Sequence, residues 1–271
     1  MSVSCTGTTH SIRVASPTAY PGATGTVAIR LKPNWNYNDN ADHKIWWHVY
    51  TDIADPSRLQ FQKYSDNNVY IGWYASGGSD NDRITYASAS GNFTNGVWNS
   101  HVFTWSDSAN TEEYWIGGVS KATRTSALET YTVSNSLTIG NANAASTANN
   151  SNASFADYAL WDVILTADEI LAYDKGLDPR MIRPGSLQRY APLNGRPAEP
   201  DLLCADGWTV TDAGRDVNPR RIDCIPIRVG RHADAAPAGS TITTATLPAG
   251  LGAMGSGQTR AIQPAGLSYM G

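Results

Sequence analysis

From residue 10 to about residue 162 the chain repeats one pattern, a short run of aromatic or β-branched residues followed by a cluster of Gly, Asn, Asp or Ser. Turn signals recurring every ~8–12 residues belong to sandwiches and barrels, because each strand must reverse before it outgrows its sheet. The runs predict strands at 10–15, 25–32, 44–50, 58–63, 68–74, 83–88, 97–105, 112–116, 136–140 and 154–162. In the second, Val27, Ile29 and Leu31 share one face while Thr26, Ala28, Arg30 and Lys32 take the other, and Pro33 closes the run. In the seventh, Val97, His101, Phe103 and Trp105 alternate with Trp98, Val102 and Thr104, so both faces carry apolar groups and the strand is predicted to be central.

Composition agrees with this pattern. Charged residues make up 16% of the chain and aromatic residues 10%, which leaves Asn, Ser and Thr to supply much of the polar surface and favours turns and strands over helices. One helix is predicted, where Thr166 and Glu169 form a Thr-x-x-Glu capping box, Ile170, Leu171 and Tyr173 give an apolar side, and Gly176 marks the stop.

Four blocks, TVAIRLKP, GVWNSHVFTWSDSANTEEYWIGGVSK, SLTIGNA and FADYALWDVILTADEILAYDKG, occur in that order. Together they resemble the laminin-G / concanavalin A-like lectin/glucanase superfamily, in the form met in bacterial and bacteriophage proteins. The matching positions are Trp98, Val102, Thr104, Trp105, Tyr114, Gly117, Gly118, Leu137, Ile139, Gly140, Asp157, Trp161, Leu165, Thr166, Glu169 and Ile170. The resemblance implies an all-β, jelly-roll sandwich of two antiparallel sheets. Where the family usually turns through Asn-Gly, this chain has Trp115, Ile116 and Gly117 after Tyr114, so a turn carries over but no ligand residue does.

After Gly176 the texture changes. Prolines at 179, 184, 192, 197, 200, 219 and 226 break up regular elements. The expected organisation is a sandwich over 1–176, a Pro-rich wrapping segment over 177–230 with one hairpin near Trp208–Val210, and an extended, low-complexity arm over 231–271. That arm is too poor in large apolar groups to fold by itself, so it is read as an assembly arm that docks on other subunits. The segment RPGSLQRYAPLNGRPAEPDLL is similar to one found beside such domains in phage structural regions. This likeness implies a virion structural protein (capsid decoration, head fibre or tail-associated), made in the host cytoplasm, homo-oligomeric, and bound to other virion proteins through residues 177–271.

Several function classes are disfavoured. A net charge of −4 with scattered Lys and Arg offers no stripe for a phosphate backbone, so nucleic acid is not an expected partner. No apolar stretch is long enough to span a bilayer, and the N-terminal residues lack the basic-then-apolar order of a secretory signal. Cys5, Cys204 and Cys224 are too few for a disulfide framework, although Cys204 and Cys224 could bridge in an oxidising setting.

No catalytic residue is predicted. Relatives of this fold that hydrolyse glycans carry a Glu-x-Asp-x-Glu strand, because retention needs two carboxylates about 5–5.5 Å apart. Here Glu112 and Glu113 are adjacent and must point to opposite faces of a strand, and Glu169 is a helix cap. His48 and His101 lie among aromatic residues and read as structural. The expected activity is binding. Trp35 and Tyr37 in the loop NWNYNDN, with Trp46 or Trp47, are candidates to stack on sugar rings, and adjacent Trp46 and Trp47 must face opposite ways. Asp39 and Asp42, or Asp80 and Asp82, are candidate oxygen ligands for Ca2+, set against the plainer reading that Asp and Asn shape these turns. A host glycan is therefore a second expected partner, and the alternative reading is a carbohydrate-binding adhesion module.

Overall fold

The structure is a computed structural model that describes residues 2–6, 10–15, 22–49, 57–74, 83–87, 92–128, 136–141, 151–193, 198–199, 208–211 and 214–216. The first strands are β1 (Ser2–Cys5), β2 (Ser11–Ala15), β3 (Thr24–Pro33), β4 (His43–Val49), β5 (Arg58–Lys63), β6 (Asn68–Tyr74) and β7 (Arg83–Ala87). They are followed by β8 (Asn99–Ser106), β9 (Thr111–Ile116), β10 (Val119–Thr125), β11 (Ser136–Ile139) and β12 (Ala153–Trp161). Helix α1 (Ala167–Asp174) and a 3-10 turn (Pro179–Met181) precede β13 (Leu187–Ala191), β14 (Ala198–Glu199), β15 (Trp208–Thr211) and β16 (Gly214–Asp216).

These strands make two 8-stranded antiparallel sheets packed as a jelly-roll sandwich. The first sheet runs β10-β9-β8-β3-β12-β1-β16 with β13 also on β12, and the second runs β14-β15-β2-β11-β4-β5-β6-β7. Along β12 the residues Ala153 to Phe155 pair with β1, whereas Tyr158 to Trp161 pair with β13. The changeover is a bulge between Ala156 and Ala159, where Asp157 takes a φ of 52°.

The period-2 pattern of the sequence builds the core between the sheets. Val27, Ile29 and Leu31 of β3 face Leu59 and Phe61 of β5 and Ile71 and Trp73 of β6 within one apolar cluster. Trp73 meets Trp105 edge to face at 5.9 Å and 78°. Each such side chain fully buried contributes ~1.5–3 kcal/mol. His101 of β8 lies in this layer at 2% exposure, bonded through Nδ1 to the Tyr114 hydroxyl at 2.9 Å. Burial lowers its pKa to about 3, so it is a neutral core group.

A second apolar layer covers the outer face of the first sheet. Ala28, Val102, Ala159 and Trp161 pack against Leu165, Ile170 and Tyr173 of the α1 region and against Ile182 and Leu187. Both halves of the predicted capping box form: Thr166 N–H donates to Glu169 Oε2 at 2.7 Å, and Glu169 N–H donates to Thr166 Oγ1 at 3.4 Å. Arg30, an outward residue of β3, anchors the other end of the helix. Its guanidinium pairs with Asp157 at 3.3 Å and donates to the carbonyls of Tyr173 and Asp174, where the helix dipole favours a cation.

The ten expected strands all form, with ends shifted by at most two residues. β8 is buried on both faces, as its sequence predicts. Three further features emerge. β10 was not predicted, because VSKATRT is mostly exposed and offers no apolar alternation; it is placed by a two-residue turn at Gly117 and Gly118, with φ values of 61° and 76°. β1 is short, yet Val3 and Cys5 are fully buried. Beyond Gly176 the chain does more than wrap. β13 and β16 join the first sheet and β14 and β15 the second, so the sandwich extends to at least Asp216 rather than stopping at 176. The prolines at 184 and 192 bracket β13 instead of interrupting it. Cys204, Cys224 and the arm at 231–271 lie outside the described residues.

Candidate functional site

The loop proposed for sugar stacking is packed inward. Trp35 is 4% exposed; its ring stacks on His43 at 4.2 Å and 4° and on Phe93 at 5.3 Å, and its Nε1–H donates to Ser151 O at 2.7 Å. Trp46 is 1% exposed and meets Phe61 edge to face. Tyr37 packs on the core, and its backbone N–H donates to Phe93 O at 3.0 Å. The physical reason is that the loop closes one end of the sandwich, where a large ring gains more by covering the core than by facing water. Trp35 and Trp46 therefore serve as core groups rather than stacking platforms. The side chain of Trp47 lies outside the described residues; the backbone register pairs Trp47 with Gln60 and Thr138.

The acidic residues of the same loop are fasteners. Asp39 accepts from the fully buried Lys63 Nζ at 2.5 Å and from His43 Nε2 at 2.5 Å, and Asp42 accepts from Ser65 N–H at 2.6 Å. Partial burial raises the pKa of Asp39, but the bonds from Lys63, His43 and the Ala41 amide outweigh it and hold the carboxyl below its ordinary range. With its oxygens committed to Lys63 and His43, Asp39 does not fit a calcium ligand. Asp80 and Asp82 lie outside the described residues. Among the described residues no cluster of three His, Cys, Asp or Glu side chains is arranged to hold a metal.

The polar arrangement with unused bonding capacity lies elsewhere, on the outer face of the second sheet. Directly paired residues of antiparallel strands project to the same side. Thr138 of β11 pairs with Arg13 of β2 and with Trp47 of β4; Trp47 pairs with Gln60 of β5, Gln60 with Gly72 of β6, and Gly72 with Arg83 of β7. From Arg13 to Arg83 this register row crosses six strands, and beyond Arg13 it continues to Thr209 of β15. In the flanking rows Arg58 pairs with Tyr74, and Gln62 pairs with Tyr70.

Tyr70 and Tyr74 stand on either side of Gly72, which leaves a gap between two rings. The guanidinium of Arg58 lies 3.7 Å from the Tyr74 ring centre, and that of Arg83 lies 4.3 Å from Tyr70 and 5.3 Å from Tyr74. The Tyr70 hydroxyl donates to Asp66 at 2.8 Å; burial first, and then that bond and charge, raise the pKa of the phenol. Exposure falls across the face. Thr85 and Ala87 of β7 are exposed, Tyr70, Tyr74 and Arg83 are half-buried, and Gln60, Gln62 and Thr138 are at most 1% exposed.

The buried floor holds polar atoms without partners. Arg13 Nε, Gln60 Nε2, Gln62 Oε1 and Thr138 Oγ1 make no hydrogen bond. Most buried polar groups are paired, and leaving one unpaired costs about 1–3 kcal/mol, so four on one face call for an explanation. This set was not expected from the sequence. Its signal is the polar half of the alternation in RLQFQK, NVYIGWY and RITYA, which becomes a site only once the register aligns the rows.

The inherited fold is that of a lectin-like sandwich, and the chain belongs to the Concanavalin A-like lectin/glucanases superfamily, whose model matches residues 6–171. A search of curated proteins finds no match. Among solved structures, the chain is similar to the native heptameric SAP-like pentraxin from Limulus polyphemus, with a TM-score of 0.52, 15% identity, and coverage of 79% of this chain and 94% of the pentraxin. It is also similar to a Bacteroides ovatus protein described as carbohydrate-binding, with a TM-score of 0.52, 13% identity and coverage of 78% of this chain. The match spans 58% of the length of that Bacteroides protein. At these identities the likeness concerns the fold.

Proposed function

We propose that this protein is a non-catalytic carbohydrate-binding module whose ligand face is the outer face of its second sheet. The observation that carries the reading is the set of unpartnered buried groups at Arg13, Gln60, Gln62 and Thr138 beside the tyrosine pair. Saccharides present hydroxyls that both donate and accept, together with apolar ring faces, and this face offers unused donors, an unused acceptor and aromatic rings. Membership of a lectin and glucanase superfamily supports the same reading. A glycan array followed by calorimetry tests it. Binding should be lost in Gln60→Leu and Tyr74→Ala and retained in Trp46→Phe; a folded protein that binds no glycan overturns it.

The composition of 231–271, and the likeness of the segment after 183 to phage structural regions, favour a finer reading compatible with the first. In it the module is displayed on a bacteriophage virion and docks through residues 177–271, as a homo-oligomer. Deleting 231–271 should then leave a soluble folded sandwich that no longer enters the assembly. Normal incorporation of the truncated chain sinks that part of the proposal.

A further inference from the structure

The gap between Tyr70 and Tyr74 is filled by the chain itself. Gln60 of β5, Gly72 of β6 and Arg83 of β7 are consecutive members of one register row. Gly72 takes a φ of 129°, a region that favours glycine, so the backbone keeps any other side chain out of this position. Arg83, half-buried, reaches into the space that results. Its guanidinium lies 4.3 Å from the Tyr70 ring centre and 5.3 Å from that of Tyr74, within stacking reach of both.

Both walls of the gap are braced. The Tyr70 hydroxyl donates to Asp66 at 2.8 Å, and the Tyr70 ring meets Tyr64 edge to face at 4.8 Å. Arg58 lies 3.7 Å from the Tyr74 ring centre, and its Nε–H donates to Gln60 Oε1 at 2.6 Å. That bond fixes the amide of Gln60: Oε1 is taken, and Nε2, a donor, is the end without a partner. A guanidinium carries five N–H donors and no acceptor. Arg83 therefore fills the gap by stacking but cannot accept from Gln60. In the adjacent pair, Gln62 with Tyr70, the acceptor Gln62 Oε1 is unpartnered as well.

We infer that the slot over Gly72 is a sugar-ring subsite and that Arg83 is its resident plug, displaced when a saccharide enters. The inference rests on the carbohydrate-binding reading and deepens it. A guanidinium and the apolar face of a pyranose compete for the same aromatic rings. The sugar also brings hydroxyls that both donate and accept, so it can accept from Gln60 Nε2 and donate to Gln62 Oε1. The exchange supplies the buried floor with the partners that the plug withholds. The displaced side chain has room to leave, because β7 ends the second sheet among the described residues and Thr85 and Ala87 beside Arg83 are exposed. Displacement costs the two ring contacts, so the plug lowers affinity and rejects ligands that cannot replace those contacts.

The test titrates the full chain with maltotetraose, mannotetraose, galactotetraose and chitotetraose by calorimetry, while NMR follows the Arg83 Nε–H resonance. In the free wild type that resonance should be shifted by the two rings, and it should move to the position of an exposed arginine when the bound sugar saturates. Arg83→Ala should bind the preferred sugar about 10-fold tighter than wild type and associate faster, with Arg83→Lys in between. Arg83→Ser gives a second variant should Arg83→Ala fail to fold. Adding Tyr74→Ala to Arg83→Ala should abolish the gain. A sugar that binds wild type as well as or better than Arg83→Ala, or that leaves the Arg83 resonance unmoved, overturns this inference and leaves the carbohydrate-binding reading standing. Binding of none of the four sugars by either chain overturns both.

Discussion

The two sheets of this sandwich share an inner core, and their outer faces have been treated in opposite ways. The outer face of the first sheet is roofed by α1 and the turn that follows, and its buried cation Arg30 is matched by a carboxylate and by two helix-end carbonyls. The outer face of the second sheet carries Arg13, Arg58 and Arg83 at its register positions and keeps four buried polar atoms unsatisfied. The contrast separates a face made for stability from the one proposed to meet a ligand: natural proteins accept local instability where function requires it.

Mutations on the two faces should therefore have different consequences. The largest effect is expected for Trp161→Ala on the roofed face, because the indole is fully buried against Tyr173 and donates to Ile182 O at 2.8 Å. A loss of about 3–5 kcal/mol in denaturant unfolding is expected, with glycan binding by the remaining folded fraction unchanged. Arg30→Met should come next, at about 3 kcal/mol, since it removes the cation beside the buried-side carboxylate of Asp157, leaving it the Tyr190 hydroxyl, and frees the end of α1. A loss below about 1 kcal/mol would mean that the roof is not held by this residue.

Between the faces, His101 sets a pH limit common to both. Its folded pKa, about 3, lies below the ordinary value of 6.5, so the unfolded chain takes up a proton first as pH falls. The stability that depends on the neutral ring is fully present above pH 6.5 and is lost progressively from there down to about pH 3. Melting temperature measured against pH should fall across that window, and His101→Phe should flatten the slope. The smallest effect is expected on the outer face of the second sheet. Thr138→Val removes an unpartnered buried hydroxyl at constant shape and should leave unfolding unchanged or raise it by up to ~1 kcal/mol, while weakening the glycan affinity. A clear destabilisation would show that Thr138 is structural and would close the gap between the two faces.

Much of the fold could be read from the sequence because strand parity is local. Val27, Ile29 and Leu31 declare their face within a single heptapeptide, and the Thr166 to Glu169 box declares a helix start within four residues. β10 and β13 could not be read this way. One has almost no apolar side chains and depends on its turn, and the other hides between prolines that suggest an extended wrapping segment. The candidate site was illegible for a different reason. Arg13, Thr138, Gln60 and Arg83 become neighbours in one row only through pairings among strands far apart in the chain. The aromatic loop misled because a tryptophan among Asn and Asp looks like an exposed platform, although Trp35 is a plug in the end of the sandwich.

The pairing of β12 bears on how the molecule is made. Val3 finds its partner only at Phe155, and Ser2 meets Asp216 on its other side. A nascent chain must therefore carry β1, with its buried Val3 and Cys5, unpaired until β12 and β16 have been made, and the first sheet cannot close before then. For the cell, the period of greatest exposure to aggregation is the interval between the synthesis of β1 and that of β12, and a chaperone engaged there would guard β1.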